Sequence, residues 1–384
     1  MHYVYCWELG SDLGHIHLLA TIGRALTSRG HKFSAIVGEI THAWSCLHSL
    51  NITWYPAPQT RLPLRNTNPQ NHADILSASG YQDANLLSSK LCAWRSLFDL
   101  LKPDCVIGEA APTAMLVARQ MRLRNVSLDT GFFCPPLFRP LAPLREGKEA
   151  NYDDLMRRED RTLQVINQAF HHLGFRPLPD FKAVFDGETY WLTWPEINHF
   201  GYHSPDRHLG PLCSELPGVV QDWPRGPGDK IFVYLKPDCP ESIPALEWCL
   251  RQGYRVNAYL PRWPAHALKK FESTKRVAIS REPLDLKTVM SACSKVLCHG
   301  GIGTVTYALG LGKTLLLLPT QVEQLRTAQA AVNQKLAVLP ALGSAGLNFD
   351  AVEVQLCRER AELFSINKRS ERPSALSRLI GLLE

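Results

Sequence analysis

The run His299-Gly300-Gly301-Ile302-Gly303-Thr304 sets an imidazole and three glycines between an apolar stretch, Lys295-Val296-Leu297-Cys298, and an amphipathic one. His299 is placed at a strand end, Gly300, Gly301 and Gly303 form a turn, and Thr304 enters the next helix. A helix start exposes unpaired N–H groups and a partial positive charge of about half a unit. Without side chains at the glycines an anion can approach the main chain closely, so a phosphate site is the direct inference, with His299 able to donate a hydrogen bond to the same anion. A P-loop does not fit: Gly312-Lys313-Thr314 supplies its tail, but position 307 is Tyr and the tail precedes a strand. A dinucleotide fingerprint fits poorly, because Gly301-Ile302-Gly303-Thr304-Val305-Thr306 lacks the third small residue and the acid 20 residues past Gly303, Glu323, falls beyond the following strand. A tight turn with no ligand is the remaining alternative. At the other end of the chain, Gly14-His15-Ile16-His17 opens a helical pattern. Two histidines without a third neighbour make a poor metal site, so no metal is expected, and a helix-capping role is an alternative for His15.

The elements that must position these groups follow a regular rhythm. In the first half, strands are expected at 2–7, 32–37, 52–55, 105–108 and 125–128, with the clearest helices at 15–29 and 82–101. A Pro-rich interval at 134–147 precedes a polar helix at 150–173 and a last strand in Gly187-Glu188-Thr189-Tyr190-Trp191-Leu192-Thr193-Trp194-Pro195. The segment 201–229, dense in Pro and Gly, reads as a linker. Beyond it the rhythm restarts, with strands at 231–235, 255–260, 276–280, 295–299 and 314–319 separated by helices at 241–252, 264–272, 285–292, 303–311 and 323–337. The expected fold is α/β: two Rossmann-like parallel-sheet lobes facing a cleft, with ligands beyond the carboxyl ends of the strands. The domain assignment is 1–205 for the first lobe, with a C-terminal helix at 373–384 packing back on it, 206–228 for the linker and 229–372 for the second lobe.

The bulk numbers are compatible with this. A chain of 384 residues, 45% hydrophobic and 20% charged, suits two globular domains. The start, Met1-His2-Tyr3-Val4-Tyr5-Cys6-Trp7, reads as a strand rather than a leader, and no apolar run reaches the ~18 residues of a spanning helix. Peripheral contact with a membrane is left open. Eleven cysteines without a CxxC pair point to a reducing, cytoplasmic setting. The net charge of +6 is a mild bias, and no nucleic-acid-binding signature accompanies it.

The second half resembles family-1-type, UDP-glycosyltransferase-like glycosyltransferases of the GT-B fold. Their signature is matched in register by His299, Gly300, Gly301, Gly303, Thr304, Ala308, Leu309, Pro319, Glu323, Gln324 and Ala328. The amino-terminal Gly14-His15, followed by Leu19, Leu26, Arg29, Gly30 and His31, resembles the family's Gly-His start and its first helix. The resemblance implies that His299, Gly300, Gly301, Gly303 and Thr304 hold a donor diphosphate and that Glu323 and Gln324 reach sugar hydroxyls. It implies that Arg281 meets the base, where plant members place a stacking Trp, and that His15 is the general base. The family's supporting Asp lies just past the fourth strand, where this chain carries Glu109. The chain departs from the family pattern at Leu18, Tyr307 and Val233-Tyr234-Leu235-Lys236-Pro237-Asp238, which lacks the Gly-Ser/Thr loop near the phosphates.

The function so implied is an inverting, metal-independent transfer of a hexose from a UDP- or dTDP-sugar to an acceptor hydroxyl, with the nucleotide sugar as co-substrate and no further cofactor. Imidazole chemistry suits it, since an unperturbed pKa near 6.5 allows proton transfer at neutral pH. The partners expected are the nucleotide sugar and a small-molecule or lipid acceptor, with no nucleic acid. The alternative is a catalytically inactive nucleotide-sugar-binding or accessory protein of the same fold. Trp44, Trp54, Phe132 and Phe133 either line an apolar acceptor pocket or pack in the core.

Overall fold

The structure, a computed structural model, describes residues 1–10, 13–60, 68–145, 151–201, 205–212, 218–343, 346–369 and 374–384. The chain divides into two compact units: Met1–Pro195 with Tyr202–Ser214 and Ala375–Glu384, and Glu196–Gly201 with Glu215–Ser374.

Unit 1 runs β1 (His2–Trp7), α1 (Leu13–Thr27), β2 (Lys32–Val37), α2 (Ala43–Leu47), β3 (Thr53–Pro56), α3 (His72–Leu76), α4 (Ala84–Leu101), β4 (Cys105–Glu109), α5 (Pro112–Gln120), β5 (Arg124–Asp129), α6 (Tyr152–Leu173) and β6 (Thr189–Trp191). The strands form one parallel sheet in the order β3-β2-β1-β4-β5-β6. β1 and β4 lie at its centre and every residue of both is buried, which is why they read as unbroken apolar runs rather than alternating ones. Unit 2 repeats the plan with β7 (Lys230–Tyr234), α7 (Ser242–Arg251), β8 (Arg255–Tyr259), α8 (Ala265–Glu272), β9 (Val277–Ser280), α9 (Leu286–Ala292), β10 (Lys295–Cys298), α10 (Ile302–Gly310), β11 (Thr314–Leu317), α11 (Val322–Asn333) and β12 (Ala337–Val338). Its parallel sheet has the order β12-β11-β10-β7-β8-β9. A hairpin of β13 (Ala341–Gly343) and β14 (Gly346–Asn348) leads to α12 (Ala351–Arg369), and α13 (Ala375–Leu383) ends the chain.

In each sheet the strand order reverses once, between β1 and β4 in unit 1 and between β7 and β10 in unit 2. Connections leave such a switch point in opposite directions, so the carboxyl ends of its two strands frame an opening in which ligands sit.

The units observed can be set beside the expected ranges. The last strand of the first half is only Thr189–Trp191. The residues that follow it, Glu196–Gly201, belong with unit 2 rather than the first lobe. The described residues of 206–228 pair with strands or loops of the two units. His208 is bridged to Trp191 of β6, and Val219 to Leu284 in unit 2. α13 docks on unit 1, where Tyr3 Oη donates to the Leu383 carbonyl at 2.9 Å and Arg378 donates to the His208 carbonyl at 3.0 Å. Among the described residues no helix is long and apolar enough to cross a membrane.

One buried core group has a raised carboxyl pKa that bears on stability. Glu159 of α6 is fully buried. Its Oε1 accepts from the Leu141 amide at 2.7 Å and from Asn71 Nδ2 at 3.3 Å, while Oε2 has no partner. Burial pushes its carboxyl up to about 7, partly offset by the Leu141 amide. The folded protein therefore keeps a proton that the unfolded chain releases, and this group's contribution to stability falls as pH rises from about 4.5 to about 7. The expected loss is on the order of 3 kcal/mol. Urea unfolding between pH 5 and 8 should show a decline that Glu159→Gln flattens; equal slopes in the two proteins would refute it.

Candidate active site

The unit 1 site is built at the β1/β4 switch point. β1 and β4 pair in register with Trp7 opposite Glu109, which sets both side chains on one face at the carboxyl end. α1 returns over that face and delivers His15. His15 Nδ1 lies 2.7 Å from Glu109 Oε1 and 2.9 Å from Oε2. Glu109 is buried, and the indole of Trp7 stacks on the imidazole with ring centroids 4.9 Å apart and 17° between the planes. An ionised carboxylate only accepts, so Nδ1 carries the proton and Nε2 is the basic nitrogen. The Glu109 side chain thus reaches the ring.

Gly10 makes this arrangement fit. Its φ of 87° lies in the left-handed region, and a Cβ there would fall 2.4 Å from His15 Nε2. Gly10→Ala therefore costs about 1 kcal/mol in backbone strain and pushes the ring off its position. The expected result is a loss of turnover of about a hundredfold, since ångström-scale misplacement has effects of that size. Donor affinity should stay unchanged, and wild-type turnover in Gly10→Ala would refute the placement.

His17, two residues along α1, is not an equivalent base. Burial, with the nearby His42 adding to it, pushes its imidazole down to about 4. Among the described residues no group of three or more His, Cys, Asp or Glu side chains converges. Of the aromatic candidates, Phe132 is buried against Phe133 and His72, whereas Trp44 is 66% exposed and stacks on His48.

The unit 2 site is built at the β7/β10 switch point. β10 ends at Cys298, Gly300 turns at a φ of 88°, and Gly301 is the N-cap of α10. A Cβ at Gly300 would come within 3.2 Å of the Gln324 carbonyl oxygen, so glycine is required there by close approach as well as by conformation. At Gly301 and Gly303 nothing lies within 4 Å of where a Cβ would stand. There is thus room beside the main chain of the turn, which an anion approaching closely at a helix start needs. Thr304 stands in the first turn of α10. The neighbouring Thr306 is spent on the carbonyls of Ile302 and Gly303.

His299 departs from the expectation that it donates to the anion. Its Nδ1 donates to the Leu318 carbonyl at 2.8 Å, and its Nε2 accepts from the Lys236 amide at 2.8 Å. Both ring nitrogens are engaged by main chain. A protonated ring would set Nε2–H against another N–H, and burial lowers its pKa, so the imidazole is neutral. Its work is to tie the loop after β7 to the ends of β10 and β11, which fixes the glycine turn. Lys236, which sequence reasoning treated only as a departure from pattern, is buried beside that turn. The visible signal was a lysine directly following the apolar run Ile231-Phe232-Val233-Tyr234-Leu235.

Glu323 and Gln324 stand in the first turn of α11. Gln324 Oε1 accepts from the Thr320 amide at 3.0 Å and its hydroxyl at 2.9 Å, which orients the side-chain amide. Behind them, Thr327 Oγ1 donates to the Glu323 carbonyl at 3.1 Å and pairs with His199 at 2.8 Å, and the Arg326 guanidinium lies over the Phe200 ring. The segment 196–201 thus braces the helix carrying the two candidate sugar contacts, a feature with no sequence signature. Arg281 is exposed just past β9, at the rim of a groove of about 340 Å³ lined by Leu268, Glu272, Val277 and Ile279.

No family model matches the sequence, and no curated protein does. Solved structures do match, and they define the class of architecture: two doubly wound units of this kind are the GT-B fold, shared with glycosyltransferases. The similar structures include the glycotransferase of kitacinnamycin, with a TM-score of 0.74 at 15% identity over 100% of this chain and 97% of that one. The glycosyltransferase VinC in complex with dTDP gives 0.70 at 16% over 100% and 98%. UGT2 of Phytolacca americana, complexed with UDP-2-fluoro-glucose and pterostilbene, gives 0.61 at 15% over 100% and 98%.

Proposed function

We propose that this chain is an inverting, metal-independent glycosyltransferase that moves a hexose from a UDP- or dTDP-sugar to the hydroxyl of a small-molecule or lipid acceptor. The observation that carries the reading is the His15–Glu109 pair, a buried carboxylate on Nδ1 of a histidine at a strand-end opening. Structures of the same fold hold dTDP in one case and a UDP-sugar analogue with a phenolic acceptor in another, which supports the donor and acceptor classes.

In this reading His15 Nε2 takes the acceptor proton as the oxygen attacks the anomeric carbon, and Glu109 stabilises the imidazolium that forms. Attack opposite the leaving group inverts the anomeric centre. The diphosphate leaves as an anion held by the open amides at Gly301 and Gly303 and by Thr304, charge stabilisation that is in place before reaction and needs no metal. Glu323 and Gln324 meet sugar hydroxyls and Arg281 meets the base. Of the eleven cysteines, the ten among the described residues are unpaired, which fits a reducing, cytoplasmic setting.

A non-catalytic nucleotide-sugar binder would need the glycine turn but not the carboxylate-oriented imidazole. The test is a panel of UDP- and dTDP-sugars, read by thermal shift and by release of nucleotide diphosphate without and with phenolic acceptors. Stabilisation with release supports the enzyme. Stabilisation without release from any donor favours the binder, and no shift with any donor refutes both.

A further inference from the structure

Across the sheet from His15 lies a buried ion pair that the proposed chemistry does not use. Glu8 follows Trp7, so its side chain leaves β1 toward the opposite face. Lys90 Nζ of α4 sits 2.6 Å from Glu8 Oε1, and the two side chains are 2% and 0% exposed. Lys90 also donates to the Ser79 carbonyl at 3.0 Å. The carboxylate holds the start of α5 with both oxygens. The Thr113 hydroxyl donates to Oε1 at 2.5 Å and the Thr113 amide to Oε2 at 2.8 Å. Tyr81 Oη completes the set by donating to Thr113 Oγ1 at 2.8 Å.

Thr113 is the second residue of α5, and only Ala110 and Ala111 connect that helix to Glu109. Ala110 has a φ of 46°, a left-handed conformation that disfavours any residue with a Cβ. It is held from both sides by the extension of β1: its carbonyl accepts from the Leu9 amide at 2.9 Å, and Glu8 anchors the helix just beyond it. Gly108 adds to this by letting Met115 of α5 close onto β4, since a Cβ there would fall 2.3 Å from Met115 Sδ. A strained residue next to a candidate catalytic carboxylate, fixed by a fully bonded buried ion pair, is how surrounding structure over-determines a conformation.

We infer that the Glu8–Lys90 pair is a positioning element for the His15–Glu109 dyad: by clamping Thr113 it holds Ala110 left-handed and so keeps Glu109 against His15. This rests on the proposed role of His15. The Glu8 carboxylate supplies the clamp, and Lys90 pairs with that carboxylate and fixes it in the buried interior. Neither touches substrate.

Breaking the pair by a single substitution leaves a bare buried charge, so the test works at Thr113. Thr113→Val is isosteric and removes the hydroxyl's clamp bond to Glu8, and with it the Tyr81 bond to that hydroxyl. It is expected to lower kcat about tenfold while donor KM stays within about twofold. Thr113→Ser keeps the hydroxyl and is expected to restore kcat to within about twofold. Adding Ala110→Gly to Thr113→Val should recover most of the loss, because glycine enters the left-handed region without the clamp; a merely structural role predicts no such recovery. Wild-type kcat in a folded Thr113→Val protein, or a loss that Ala110→Gly does not relieve, overturns the inference. His15→Ala is measured alongside. If it keeps near-normal turnover, the dyad reading itself fails whatever the Thr113 variants show.

Discussion

His15→Ala is expected to lower kcat by about 10²- to 10⁴-fold, the range that a positioned general base supplies. Glu109 on Nδ1, Trp7 against the ring face and Gly10 beside Nε2 all belong to unit 1. The candidate diphosphate and sugar groups, Gly300, Gly301, Gly303, Thr304, Glu323 and Gln324, all belong to unit 2. Removing the imidazole should therefore leave nucleotide-sugar affinity as it was, which calorimetry measures directly. The split between lost turnover and kept affinity is the signature of a group acting on the reaction rather than on donor binding. A second effect is small and separable. Truncation exposes the face of Trp7 and strips Glu109 of its partner, which lowers stability by about 1–3 kcal/mol and appears in thermal unfolding. Turnover within a few-fold of wild type in a folded His15→Ala protein would remove His15 as base.

The architecture was legible because both sheets are parallel and buried on two faces. β1, β2 and β10 read as apolar runs bounded by polar or glycine-rich turns, and the strand ends fell within a residue or two of expectation. α12 left little trace. Val354, Cys357 and Ala361 face the core, but Val352, Leu356, Leu363 and Ile366 are exposed, so apolar residues occur around much of its circumference and the period is lost. The glycine turn was legible as an anion site because its requirement is local: bare main chain at a helix start. The role of His299 was not, because only tertiary structure brings the Lys236 amide to one nitrogen and the Leu318 carbonyl to the other. The pairing of His15 with Glu109 spans 94 positions and was reachable only through family resemblance. Trp7 and Gly10 went unremarked, since an aromatic at a strand end and a glycine in a loop have many other uses. The crossing of Glu196–Gly201 into unit 2 has no local code at all.

Glu109→Gln separates the two things a carboxylate does for a histidine. Its charge stabilises the imidazolium that forms as the acceptor loses its proton, and its acceptor-only chemistry keeps the proton on Nδ1. Glutamine keeps the length and loses both. Its NH₂ group, if turned toward the ring, donates to Nδ1 and moves the ring proton to Nε2, where a base must have a lone pair. Its carbonyl, if turned instead, preserves the tautomer but leaves the imidazolium without a counter-charge in a buried site. Either way kcat is expected to fall by about 10³- to 10⁴-fold, the size of the corresponding change in a histidine–carboxylate triad. Glu109→Asp makes the opposite trade, keeping the charge and drawing it back by one methylene from the 2.7 Å contact. A charge slightly too far still favours imidazolium and still only accepts, so Asp is expected to fall between Glu and Gln. The order Glu, Asp, Gln in kcat, with donor KM constant across the three, is the outcome that assigns Glu109 an electrostatic role. Gln equal to Glu would leave the carboxylate a packing group, and the dyad would cease to explain catalysis.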